Sequence, residues 1–189
     1  SRLAGRDSAQ GQGVRCFPPA GAYQASLSPE AAARAEGVTI DPALLALPME
    51  EPQQPLVVEG AGGLMVPVTD EIMMIDLARR WGLPVVLVAR SGLGTLNHTL
   101  LSLEALRARG IAVAGVVLNG PPNPENSRTL AGKGKGRVLA EIPPGARIDV
   151  PTVGRLAAPV PPWAEVSGAG GAGWSLSTSD PAAATAGAP

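Results

Sequence analysis

Lysine is almost missing from this 189-residue chain: Lys133 and Lys135, in the run AGKGKGR, are the only two. The spacing excludes a phosphate loop at that run, because Ser127 stands where the first glycine of G-x-x-x-x-G-K-[ST] belongs and Gly134 replaces the hydroxyl residue after Lys133. These lysines read as a solvated basic turn. Cysteine is rarer still: Cys16 stands alone, which excludes an internal disulfide and favours a reducing compartment. No apolar run approaches the roughly 18 to 20 residues that cross a bilayer, and SRLAGRDSAQ at the amino end offers no apolar stretch for a signal peptide, so cytoplasm is the expected location and no membrane partner is expected. Nor is there an excess of positive charge: a net charge of −1 excludes a nucleic-acid footprint. Histidine is limited to His98, near the start of a helical segment, where a terminus hydrogen bond or a subunit contact is a simpler role than catalysis.

Glycine and proline are plentiful, with 24 and 20 residues, but concentrate outside the central third of the chain. This divides the chain into three regions: a poorly ordered lead over 1–27, an α/β domain over 28–158, and a Pro/Gly/Ala-rich tail, expected to be disordered, over 159–189. Ser28-Pro29-Glu30 opens a short alanine-rich helix stopped by Gly37, and Asp41-Pro42 caps another brief helix through Leu47. Leu56-Val57-Val58 reads as a buried strand ending in Glu59 and the turn Gly60-Ala61-Gly62-Gly63. Thr69 or Asp70 then caps a helix whose Met74, Leu77, Ala78 and Trp81 form one stripe. Residues 84–89 make a second strand, and 95–109 a helix with Leu96, Leu100, Leu103 and Leu106 facing the core. Residues 111–118 make a third strand, 120–127 a loop rich in Pro and Asn, and 137–142 a fourth strand after a weak linking segment.

Strands without polar alternation are buried on both faces, so this order predicts a parallel sheet flanked by helices. Ligands of such sheets bind beyond the carboxyl ends of the strands. Those ends carry Glu59 to Gly63, Arg90 to Gly94, Asn119 to Pro122 and Pro143 to Gly145, which would gather on one edge. A carboxylate at a strand end beside Cβ-free backbone suits Mg²⁺ and phosphate, and the Asn119 amide can both donate to and accept from an adenine edge; a solvated acid and an ordinary turn are the alternatives.

The segments VVEGAGGLMVPVTD, LPVVLVARSGLGTLNHTLLSLEALRARGIAVAGVVLNG, NPENSR and VLAEIPP together resemble dethiobiotin synthetase, from about Ser28 to Asp149. The resemblance implies a homodimeric P-loop NTPase-like α/β protein that forms the ureido ring of dethiobiotin from 7,8-diaminopelargonate, CO₂ and ATP with Mg²⁺. By motif position it implies Glu59 as a Mg²⁺ ligand, Gly60, Ala61 and Gly62 near the phosphates, and Asn119 with Pro143, Pro144 and Gly145 at the adenine. It implies Gly94, Thr95 and Asn97 at the dimer interface, meeting the partner subunit's substrate, and it matches Asp7 loosely to a further Mg²⁺ ligand.

The family's amino-terminal strands and phosphate loop, of the form GTDTxVGKT, have no counterpart in these residues, and a carboxy-terminal helix after the adenine turn gives way to the proline-rich tail. The expectation is the carboxy-terminal two thirds of such an enzyme, with impaired turnover by itself because the phosphate-neutralising lysines are missing. A non-catalytic remnant that dimerises with the full enzyme is the alternative. Another P-loop amide synthetase, of the cobyrinic acid type, is disfavoured by GLGTLNHT.

Overall fold

The computed structural model describes residues 21–47, 56–145 and 149–166. The chain divides into two compact units, Ser1–Leu77 and Ala78–Pro189.

In the first unit, capping decides where helices begin. Helix α1 (Pro29–Ala35) has Pro29 in its first turn, and its Ser28 hydroxyl accepts from the Ala31 N–H at 3.4 Å. Its Ala32 and Ala33 are buried, and Gly37 ends it at φ 68°, a left-handed conformation natural to glycine. Asp41 caps a 3-10 turn, Pro42–Leu45, by accepting from the Ala43 N–H at 2.9 Å. Both starts stand where the sequence puts them. Leu56 to Val58 do not: no strand forms there, Val57 is 80% exposed, and no ladder partner exists for it among the described residues. An apolar run becomes a strand only where a neighbour takes its N–H and C=O groups.

Helix α2 (Met74–Trp81) begins later than its sequence suggests, because Thr69 closes a turn instead of capping. The Thr69 hydroxyl accepts from the Glu71 and Ile72 N–H groups at 3.3 and 3.1 Å, the chain doubles back through a Pro67–Met73 bridge, and Asp76 reaches back to the Met73 N–H at 2.9 Å. Met74, Leu77, Ala78 and Trp81 are all at least half-buried as the stripe requires, and Ile75 is buried beside them.

The second unit is a three-stranded parallel sheet in the order β1 (Val85–Arg90), β2 (Val113–Asn119), β3 (Val138–Ile142), so the described residues provide three of the four expected strands. Helices α3 (Thr95–Ala108) and α4 (Pro124–Lys133) make the crossovers and touch each other and the sheet. The central strand β2 is buried on both faces. Edge strand β1, despite its continuous apolar sequence, alternates between half-buried and exposed, and Val88 remains 63% exposed. Two-sided burial belongs to the centre of a sheet, not to its edge.

Two helices were not expected. Pro124–Lys133 reads as loop and linker, yet Asn123 caps α4 by accepting from the Asn126 N–H at 3.0 Å, and Leu130 anchors it in the core. Helix α5 (Val150–Ala157) comes after the 143–145 turn, inside the region assigned to the domain, and a helical turn, α6 (Trp163–Val166), lies in the expected tail and is tied back by an Arg137–Glu165 ion pair at 2.9 Å. Residues 167–189 of the expected tail lie outside the described residues.

Asp149 caps α5, accepting from the Thr152 N–H at 3.0 Å. Hydrogen bonds from the Thr152 hydroxyl and then from its N–H hold the Asp149 carboxyl below its ordinary value of 3.8. A depressed carboxyl contributes stability above its unfolded value and loses it as pH falls through the folded one. Protection of the amides of residues 150–157, taken relative to their intrinsic exchange rates, should therefore fall below about pH 4 in the parent chain, and an Asp149→Asn variant, which retains an acceptor, should show a flatter acid profile.

Candidate nucleotide site

The carboxyl ends of the three strands lie in one row: Arg90 pairs with Asn119, and Asn119 with Ile142. The loops that leave this row are 91–94, 120–123 and 143–145. Three of the four segments expected on one edge leave this row, and the fourth, residues 59–63, belongs to the first unit.

Asn119, the last residue of β2, is exposed and offers its amide at the edge, with Pro143, Pro144 and Gly145 leaving the adjacent strand, also exposed. Backbone bonds hold these loops together. The Gly120 N–H donates to the Ile142 carbonyl at 2.9 Å, and the Ser91 N–H to the Asn119 carbonyl at 3.2 Å. Composition and periodicity give no sign of two further participants. Ser91 is 2% exposed and donates its hydroxyl to the Pro121 carbonyl at 2.6 Å. Asn126, in the first turn of α4, donates its amide to the Ser91 carbonyl at 2.9 Å.

At the start of α3, Gly94 takes the left-handed region at φ 89°, which turns the chain from the 91–94 loop into the helix. Thr95 is buried and its hydroxyl is bonded to that of Thr99 at 3.1 Å, so it faces inward. Asn97 and His98 are exposed, so of the three residues assigned to a partner's substrate only Asn97 presents an exposed side chain. The buried stripe of α3 runs Thr95, Thr99, Leu103, Leu106, whereas Leu96 and Leu100 are only half-buried.

In the first unit, Glu59 and residues 60–63 are exposed irregular backbone. Of the three glycines, Gly62 is the one the backbone requires, and Gly63 has open space where a Cβ would stand. A Cβ on Gly60 would meet the Met74 sulfur at 2.9 Å, and Gly62 combines φ 74° with a would-be contact of 2.8 Å to Val66. Glu59 has no hydrogen-bond or ion-pair partner among the described residues, and no group of three or more potential ligands exists there for a metal. A single open carboxylate fits Mg²⁺ bound mainly through water and nucleotide phosphates, and does not fit an all-protein cage. Asp7 lies outside the described residues.

A parallel sheet with ligand loops at its carboxyl edge defines a class, and residues 7–152 match the family described as AAA domain, which makes the chain an α/β protein of P-loop type. Among curated relatives, the ATP-dependent dethiobiotin synthetase BioD of Paramagnetospirillum magneticum is 49% identical over 146 residues, 77% of this chain and 70% of that protein. Its counterpart from Nitrobacter hamburgensis is 50% identical over 129 residues, 68% of this chain and 60% of that protein. The biotin biosynthesis bifunctional protein BioCD of Bordetella avium is 57% identical over 129 residues, 68% of this chain but 27% of that longer protein. The chain belongs to the dethiobiotin synthetase family, and spans between 27% and 70% of the length of these relatives.

Proposed function

We propose that this chain carries the adenine, magnesium and subunit-contact part of an ATP-dependent cyclo-ligase that forms dethiobiotin from 7,8-diaminopelargonate and CO₂. The observation that carries the reading is the exposed Asn119, whose backbone is fixed in a row of strand ends beside the 143–145 turn, in a chain about half identical to ATP-dependent dethiobiotin synthetases.

In this reading one amine of the diamine adds to CO₂ as a carbamate, whose oxygen takes the γ-phosphoryl group from ATP. The second amine then attacks the carbamoyl carbon, the ring closes, and inorganic phosphate leaves. Asn119 pairs with the adenine edge, its carbonyl accepting and its amide donating, with Pro143 to Gly145 alongside. Glu59 would hold Mg²⁺, and the ion, when bound, neutralises phosphate charge. Residues 60–62, without side chains beyond Ala61, leave room for the phosphates. Leu93, in the loop before α3, and Leu101, one turn beyond Asn97 on α3, are both exposed and support a homodimer contact at this end of α3. Among the described residues no helix is long and apolar enough to cross a membrane.

The test is dethiobiotin formation by the 189-residue chain supplied with diaminopelargonate, bicarbonate, ATP and Mg²⁺. No lysine stands in phosphate-loop spacing, so slow turnover is expected alone and faster turnover when a polypeptide bearing such a loop is added. Absence of dethiobiotin in both arrangements would count against the reading, and full activity alone against the argument from the lysines.

A further inference from the structure

All of Ser91's polar groups are committed to the elements around Asn119. Its N–H donates to the Asn119 carbonyl at 3.2 Å, its hydroxyl to the Pro121 carbonyl at 2.6 Å, and its own carbonyl accepts from the Asn126 amide at 2.9 Å. One residue at the end of β1 therefore fastens the end of β2, the loop after it and the first turn of α4. Ser91 itself is buried, at 2% exposure, and the two bonds that involve a side chain are part-buried. Water cannot readily replace them, and a carbonyl that loses its partner in such a place incurs a desolvation penalty.

Gly120 completes the arrangement. Its φ of 138° and the Ser91 oxygen, 2.5 Å from where a Cβ would stand, restrict this position to glycine, while its N–H reaches the Ile142 carbonyl. Asn119 is therefore held on both sides: its own carbonyl by the Ser91 N–H, and the two residues after it by the Ser91 hydroxyl and by β3. An amide can prefer adenine, with its adjacent donor and acceptor, over guanine, with two acceptors, only if its orientation is fixed.

We propose that Ser91 is a positioning residue for base selection, its buried hydroxyl fixing the 119–122 loop so that the Asn119 amide discriminates adenine from guanine nucleotides. This rests on the adenine reading of Asn119.

Calorimetric titration of the chain with MgATP and MgGTP tests it, using Ser91→Ala, Ser91→Thr and Asn126→Ala variants and monitoring thermal melting in parallel. The parent should prefer MgATP. Ser91→Ala should lose about fivefold in ATP affinity, the effect of one net hydrogen bond, with a smaller change for GTP, so that the preference narrows. Ser91→Thr, which keeps the hydroxyl, should recover it. A folded Ser91→Ala chain with the parent's ATP-to-GTP ratio would overturn the proposal while leaving the adenine reading intact. A parent that binds neither nucleotide, or binds both equally, overturns the adenine reading and the proposal with it. Should Ser91→Ala fail to fold, Asn126→Ala decides: a narrowed ratio supports the proposal and an unchanged ratio overturns it.

Discussion

A Gly115→Ala variant should unfold with about 3 kcal/mol less free energy than the parent, read from urea denaturation monitored by circular dichroism. Gly115 lies in the central strand β2, where a Cβ would fall 2.5 Å from the Leu139 Cγ and 2.8 Å from the Arg137 carbonyl oxygen. Neither neighbour can give way easily. Leu139 is buried, and the Arg137 carbonyl is pinned by accepting from the Val116 N–H at 2.9 Å. Overpacking of this kind costs about 1 to 3 kcal/mol, and the φ of 156° adds strain for any residue with a side chain. Because the main obstacle is Leu139, a Gly115→Ala/Leu139→Ala pair should be less damaging than the sum of its members, a coupling of opposite sign to the single effects. A loss below about 1 kcal/mol for Gly115→Ala would show that β3 moves aside freely.

The helix starts of this chain share a grammar that is only partly legible. Ser28-Pro29 and Asp41-Pro42 announce their helices because each opens a run rich in alanine or leucine. Asn123-Pro124-Glu125 is the same signal, but it comes after Gly120-Pro121-Pro122, and the helix it opens buries only Leu130, so hydropathy gives no stripe. Asp149 with Pro151 opens α5, a helix with no fully buried residue, and is hidden for the same reason. In α3 the leucines mislead, since the positions against the core are partly threonines whose hydroxyls satisfy each other. The row of strand ends was readable from alternation of strands and helices. Ser91 was not, because a buried serine is marked by its partners, which only the fold brings to it. Leu56 to Val58 fail for the converse reason: a strand is a property of a pair.

Glu59→Gln should weaken the affinity of the chain for Mn²⁺ in the presence of ATP by about 100-fold, measured by electron paramagnetic resonance of the bound ion, while leaving stability within about 0.5 kcal/mol. The two halves of this expectation come from one fact: Glu59 is exposed and unpaired among the described residues. No ion pair or hydrogen bond among the described residues depends on its charge, so its loss should not loosen them, whereas a hard divalent cation bound there loses an anionic protein ligand. The amide of glutamine keeps the shape and one neutral oxygen donor, so the difference reports charge. The surrounding glycines sharpen the contrast. A Gly62→Ala variant should disturb the turn itself, through φ 74° and the 2.8 Å contact with Val66, and lower stability and metal affinity together. If Glu59→Gln binds Mn²⁺ with ATP as the parent does, Glu59 is a solvated acid after a tight turn, and the magnesium assignment falls while Asn119 and the row of strand ends stand.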